Sequence, residues 1–277
     1  MKIMKDRRVK IESRNDHFTS KINSEITSET PSKDNEFLVK ETRIHGYDVL
    51  DLMDNCDYSD VFFLLYSGEL PSEAQKNLFK QLSVFLINLG PRHSSSRTAA
   101  NAAVGRTDVN HILPIAIMGM GGAYGGSKEV ENAMRFLKKH ADDTPKAVAA
   151  SCTDSNPDSQ KEDWIVAPGF GTDFRGQSPF LIACKNKLLL TSPDDGYLVW
   201  ANKMVNSLPT DKHCGWRLAG IVAAVLLDLN IEPRLGGGIF QMLASPGAFA
   251  HGIQFSNKPI TDMPFLQDED YEIKNDQ

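Results

Sequence analysis

Trp216 to Leu229 reads as a helix with apolar residues on nearly every side, bounded by Arg217 and Asp228. A helix of that kind has no face to give to water and has to be wrapped by other elements. At 277 residues the chain is long enough to wrap it, as one large domain or two modest ones. The candidate wrapping elements are themselves helices. Tyr47 to Met53 predicts a short helix burying Val49, Leu52 and Met53, and Ser59 can cap a second one carrying Val61, Phe62, Leu64 and Leu65, which stops at Ser67-Gly68. Ser72 then opens a third, with Leu78, Phe79, Leu82, Phe85 and Leu86 on one face. Asp108 caps an apolar helix through Ile112 and Met118 that Pro114 should bend, and two more helices are expected at 179 to 190 and 197 to 205. No alternating strand pattern competes with these, so the expected fold class is all-α.

Gly121-Gly122-Ala123-Tyr124-Gly125-Gly126-Ser127 lies between an apolar run and an amphipathic helix whose Val130, Ala133, Met134 and Leu137 follow i, i+3, i+4, i+7 spacing. Four glycines allow close backbone approach, Ser127 can cap the helix, and Tyr124 is the one large side chain in the loop. Two readings stand: a tight helix-helix turn with glycine for packing, or a loop that floors a ligand pocket. A second polar break, Gly90-Pro91-Arg92-His93-Ser94-Ser95-Ser96-Arg97, precedes an Ala-rich helix. Free amides at that helix start, with His93 and Arg97, suit a carboxylate or phosphate, although ordinary serine capping with solvated arginines fits the same residues.

The net charge of -6 and the lack of a basic stripe argue against a nucleic-acid partner. No apolar stretch approaches a bilayer span, so no membrane segment is expected. Cys56, Cys152, Cys184 and Cys214 are widely spaced without a CxxC or Cys/His pattern, so no metal site is expected and a reduced, cytoplasmic protein is. The basic start lacks the apolar core of a secretion signal, and residues 1 to 35, rich in Lys, Ser, Asn and Glu, read as a disordered polar tail.

Several motifs fall in an order that resembles the citrate synthase superfamily, and its short citryl-CoA lyase branch most. They are His45-Gly46-Tyr47-Asp48-Val49-Leu50-Asp51-Leu52, Leu65-Tyr66-Ser67-Gly68-Glu69-Leu70-Pro71, the Gly90-Pro91 turn, the glycine loop, Ala167-Pro168-Gly169-Phe170-Gly171 and Ser245-Pro246-Gly247-Ala248-Phe249-Ala250-His251. The resemblance spans roughly residues 37 to 260. It implies a homodimer with a large helical domain at 36–125 and 223–277 and a smaller inserted one at 126–222. It also implies a CoA thioester as substrate, with no tightly bound cofactor, and a small acyl-CoA or carboxylic acid as partner. Gly169, Phe170 and Gly171 would contact CoA, with Arg175 near enough in sequence to assist. Gly236-Gly237-Gly238 would be a bend, and His251 a packing residue.

Members of this superfamily make or break a carbon-carbon bond beside a thioester, using a carboxylate to move an α-proton and two histidines to stabilise the enol and the acceptor carbonyl. Here Tyr124 stands for the glycine-loop histidine, and Thr172 and Asp173 stand for the histidine and arginine after Gly-Phe-Gly. The expected carboxylate falls within His213-Cys214-Gly215-Trp216, and the arginine before Pro246-Gly247 is Ala244 or Ser245. The resemblance therefore implies altered chemistry, with Tyr124, His213 and Asp173 as candidate catalytic residues and His93, Arg97, Thr172 and Arg175 as candidate substrate-binding residues. A phenol donates one hydrogen bond to a carbonyl or enolate but is a poor proton shuttle near neutrality. A catalytically degenerate, dimeric binding or regulatory module fits the same losses, and so does a synthase for an unusual 2-oxo acid.

Overall fold

The computed structural model describes residues 24–35, 37–154, 165–173, 176–209 and 214–263. It divides into a small unit that ends at Cys56 and a large one that begins at Asp57.

The small unit holds β1 (Thr27–Pro31), β2 (Val39–Ile44), β3 (Tyr47–Asp48) and α1 (Val49–Asn55), with the strands antiparallel in the order β1-β2-β3. Thr27 faces Ile44, and Ile44 faces Tyr47. His45 and Gly46 both take positive φ, the conformation a two-residue hairpin turn needs between right-twisted strands. Asp48 ends the sheet and caps α1, its carboxylate accepting from the Leu50 amide at 2.9 Å. Residues 27 to 31 are therefore a paired strand where the sequence reads a disordered tail. Every β1 residue is exposed, so backbone pairing with β2, which composition cannot signal, is what holds it.

The large unit is helical apart from one small sheet. Its elements are α2 (Tyr58–Ser67), α3 (Glu73–Leu86), α4 (Ser94–Val104), α5 (Val109–Met118), α6 (Ser127–Lys139), α7 (Pro145–Asp154), β4 (Ile165–Ala167), β5 (Phe170–Gly171), α8 (Pro179–Leu189), α9 (Tyr197–Val205), β6 (Gly215–Trp216), α10 (Leu218–Asp228) and α11 (Pro233–Phe255). A 3-10 turn at Ile260–Asp262 follows. The helix starts have chemical causes. Asp57 and Asp60 form a reciprocal capping box on α2, in place of the expected Ser59, because Asp57 precedes the turn and Asp60 reaches back to its amide at 2.9 Å. Ser72 and Gln75 do the same on α3, and Gly68 closes α2 in the left-handed conformation.

α10 is the centre, with Ala219 through Leu227 all buried, and α6, α9 and α11 pack around it. Val130, Ala133, Met134 and Leu137 of α6 are fully buried, as their spacing predicts. Small residues bring α4, α5 and α11 together in a second core of Ala99, Ala103, Ile112, Ala116, Met120, Ala244 and Ala248. The triple glycine at 236 to 238 is not a bend but part of the 23-residue α11. Glycine is required there by packing, since a Cβ on Gly236 would lie 2.1 Å from the Met134 sulfur. Pro114 and Pro246 both sit inside helices; after Pro246, Gly247 donates its amide to the Ile87 carbonyl at 2.8 Å and so ties α11 to the end of α3. Among the described residues no helix is long and apolar enough to cross a membrane.

Candidate functional site

The glycine loop is built to close on itself. The Met120 carbonyl accepts from Ser127 N–H at 2.7 Å and the Gly122 carbonyl from Lys128 N–H at 3.2 Å, so the loop caps α6 with its own backbone. Gly126 is the cap residue in place of the expected Ser127; a Cβ there would meet the Met120 and Gly122 carbonyl oxygens at 2.5 and 2.6 Å. Two bonds from the start of α4 clamp the loop. Ser94 Oγ donates to the Gly119 carbonyl at 3.1 Å, and His93 Nε2 lies 2.9 Å from the Gly125 carbonyl.

Those contacts fix the state of His93. Its Nδ1 faces the Ser95 hydroxyl at 2.7 Å and accepts from the Ser95 amide at 3.3 Å, so the proton is assigned to Nε2, which donates to Gly125. Burial pulls the imidazole below its ordinary value, against the opposing effect of the Gly125 carbonyl. His93 is thus a neutral ring with both nitrogens engaged, and it also serves as the N-cap of α4.

Arg217, at the start of α10, organises the rest. Its Nε donates to Glu129 Oε1 at 2.8 Å, its Nη1 donates to the Thr172 carbonyl at 3.0 Å and to Asp173 Oδ1, and its Cζ lies 4.4 Å from the centre of the Tyr124 ring. Burial works against the charge, but hydrogen bonds with Glu129 and Tyr124 and the fields of Glu129 and Asp173 outweigh it and hold the guanidinium above its ordinary value. Glu129 is equally buried and reaches back from the first turn of α6 to accept the Gly125 amide. The loop that carries Tyr124 and the helix start that carries Arg217 are therefore locked through one carboxylate. A cation opposes the positive end of the α10 dipole, and the two carboxylates offset that conflict.

Tyr124, Gly125, His93, Asp173, Glu129 and Arg217 line one cavity of about 480 Å³, with Arg92, Ser94 and Ser178 adding polar groups. Tyr124 is half exposed in it. Of the residues expected from sequence, Tyr124, His93 and Asp173 converge here, and Thr172 joins through its carbonyl while its side chain is buried. Arg97 lies elsewhere, on a cavity of about 510 Å³ with Ser96 and His251. Gly169, Phe170 and Gly171 are buried and do not line the Tyr124 cavity. Phe170 packs between Phe136 and Trp216, and the Gly169 carbonyl accepts from the Arg217 amide at 3.1 Å. A Cβ on Gly169 would lie 2.6 Å from Gly220 Cα, so this turn seats the start of α10 and hence Arg217. His213 and Arg175 lie outside the described residues.

Glu129 and Arg217 were not expected as site residues. Each carried a signal: Glu129 is an acid three residues after Gly126, where a carboxylate reaches back over a helix start, and Arg217 is a lone charge opening an apolar helix. The surroundings of Tyr124 are therefore charged, with Arg217 over its ring and Glu129 and Asp173 paired to Arg217. Among the described residues no cluster of three His, Cys, Asp or Glu is arranged to hold a metal ion.

No protein-family model matches the sequence, and no curated protein matches it. Solved structures do match. The citryl-CoA lyase of Hydrogenobacter thermophilus is similar with a TM-score of 0.71 at 22% identity, over 92% of this chain and 95% of that one. The ATP citrate lyase of Methanothrix soehngenii, solved with citrate and coenzyme A, has a TM-score of 0.69 at 14% identity, over 93% of this chain but only 44% of that one. The citrate synthase of Thermotoga maritima has a TM-score of 0.54 at 12% identity, over 92% of this chain and 94% of that one. With these helices in this order around a buried α10, the chain has the fold of the citrate synthase superfamily.

Proposed function

We propose that the Tyr124 cavity binds an acyl-CoA thioester and polarises its carbonyl for altered carbon-carbon bond chemistry. The observation that carries this reading is the half-exposed Tyr124, with the Arg217 guanidinium over the face of its ring and both side chains on the wall of the cavity. A phenol next to a guanidinium is a stronger donor than a phenol alone, and donating to a thioester oxygen stabilises the charge of an enolate. Asp173 is the open carboxylate of the pair on Arg217, with its side chain 35% exposed where that of Glu129 is 4% exposed. It takes the role of α-proton acceptor, and its ion pair with Arg217 makes it a weak one. Thr172 and the Gly169-Phe170-Gly171 turn act in this reading by seating Arg217. The named ligands of the ATP citrate lyase, citrate and coenzyme A, support a CoA compound here. The reading includes a homodimer, which sedimentation would detect.

A second reading, a catalytically degenerate binding module, draws support from the engagement of both His93 nitrogens and both cavity carboxylates. Calorimetry with CoA and acetyl-CoA, followed by deuterium exchange at the acetyl carbon, separates the two. Binding with exchange that falls at least tenfold in Tyr124→Phe supports the thioester chemistry. Binding without exchange supports the module, and no binding of either compound overturns both.

A further inference from the structure

Beside the Tyr124 cavity runs a groove of about 450 Å³ between α3 and α8, lined mainly by Val84, Phe85, Ile87, Phe180, Cys184 and Leu188. The two spaces are continuous in their lining: Phe85, Asn88 and Phe180 border both. The Phe85 and Phe180 rings, with centroids 6.3 Å apart and planes tilted by 51°, stand where one passes into the other. The groove is exposed in a way that core packing does not explain. Val84 and Phe180 are each 66% exposed and Ile87 is 51% exposed, on facing helices. Lys80 and Lys187 edge it, and no carboxylate among the described residues pairs with either. Burial pushes the Cys184 thiol up, so it serves as apolar lining and not as a nucleophile.

The charges in the Tyr124 cavity point the same way. Arg217 is committed to Glu129 and Asp173, which leaves Arg92 as the cation on the cavity wall without an ion pair among the described residues. A polycarboxylate needs several uncommitted cations, and this cavity is balanced in formal charge.

Resting on the thioester reading of the site, we infer that the acyl group is an apolar hydrocarbon chain of medium length, carried past Phe85 and Phe180 into the groove between α3 and α8. The thioester carbonyl would remain at Tyr124 while the chain covers Val84, Ile87 and Leu188, and the lysine stems would flank it with their charges in water.

Calorimetry on the full chain with CoA, acetyl-CoA and octanoyl-CoA tests this. Burying each of the six added methylenes in such a groove is worth about two- to fourfold in affinity, so octanoyl-CoA should bind at least about sixtyfold more tightly than acetyl-CoA. Val84→Asp puts a charge in the groove, and Val84→Trp fills it, both at an exposed position. Each should remove most of the octanoyl advantage and leave acetyl-CoA affinity unchanged. Equal affinity for acetyl-CoA and octanoyl-CoA, or an octanoyl advantage that survives both variants, overturns the inference while the thioester reading stands. A dimer that Val84→Asp converts to monomer assigns the groove to a second copy of the chain and also overturns it. Failure of CoA and acetyl-CoA to bind overturns the thioester reading itself, and the inference with it.

Discussion

Replacing Arg217 by methionine tests whether this side chain is the centre of the site. The wild-type cluster sets one guanidinium against two carboxylates; the Arg217 and Glu129 side chains are 3% and 4% exposed, and Asp173 is partly open to solvent. Arg217→Met keeps the volume but leaves Glu129 buried with no countercharge and a second carboxylate nearby, which should cost about 3–5 kcal/mol. Glu129→Gln leaves Arg217 paired with Asp173 and loses mainly one charged acceptor, for about 1–3 kcal/mol. The larger loss would be a fifth or more of the about 5–15 kcal/mol that holds a typical domain together. Urea unfolding followed by circular dichroism reads both as midpoint shifts. The pH dependence supplies a second check. In Arg217→Met the folded state accommodates its stranded carboxylates by taking up a proton that the unfolded state releases, so its deficit should shrink from pH 8 to pH 5. The reasoning fails if Arg217→Met lies within about 1 kcal/mol of wild type, if Glu129→Gln costs more, or if the deficit is independent of pH.

Two other perturbations follow from the same packing. Burial pushes Asp228 up to about 6 from its ordinary 3.8, although its carboxylate accepts from the Tyr197 and Leu198 amides at the start of α9. The folded state therefore holds a proton that the unfolded state releases between pH 4 and 6, and stability should fall by up to about 3 kcal/mol as pH rises through that window. Asp228→Asn, which keeps an acceptor without the charge, should flatten that slope in thermal melts. Gly126→Ala should cost at least about 2 kcal/mol, because its methyl would run into the Met120 and Gly122 carbonyls; a melting temperature equal to wild type would show that the loop is slack.

The helices that sequence displays well are those whose causes are local. α6 announces itself through Val130, Ala133, Met134 and Leu137, and α3 through Ser72 and Gln75 at its start. α11 is poorly displayed because its glycines answer to distant neighbours. Gly236 makes room for Met134, so the triple glycine reads locally as a bend, and Gly247 lies against Ile87 and Asn88. β1 is silent for a related reason, since its exposed residues carry no burial pattern and its partner lies across a turn. Within the site, Tyr124 was legible as the one large side chain in a glycine loop, and His93 as a cap at a polar helix start. The tie between Glu129 and Arg217 joins residues 88 positions apart, and nothing local states that an acid in the first turn of an amphipathic helix will meet the lone cation that opens an apolar one. Arg97 shows the converse: four positions after His93, it projects into a different cavity.

The measurement that bears most directly on the account is the infrared carbonyl stretch of a carbonyl-labelled acyl-CoA bound to the wild-type chain and to Tyr124→Phe. A band shifted to lower frequency on the wild type, returning towards its solution position on the variant while binding persists, is the expected result. A carbonyl band that is unshifted on the wild type, or equally shifted on both, would contradict the role given to Tyr124 and Arg217.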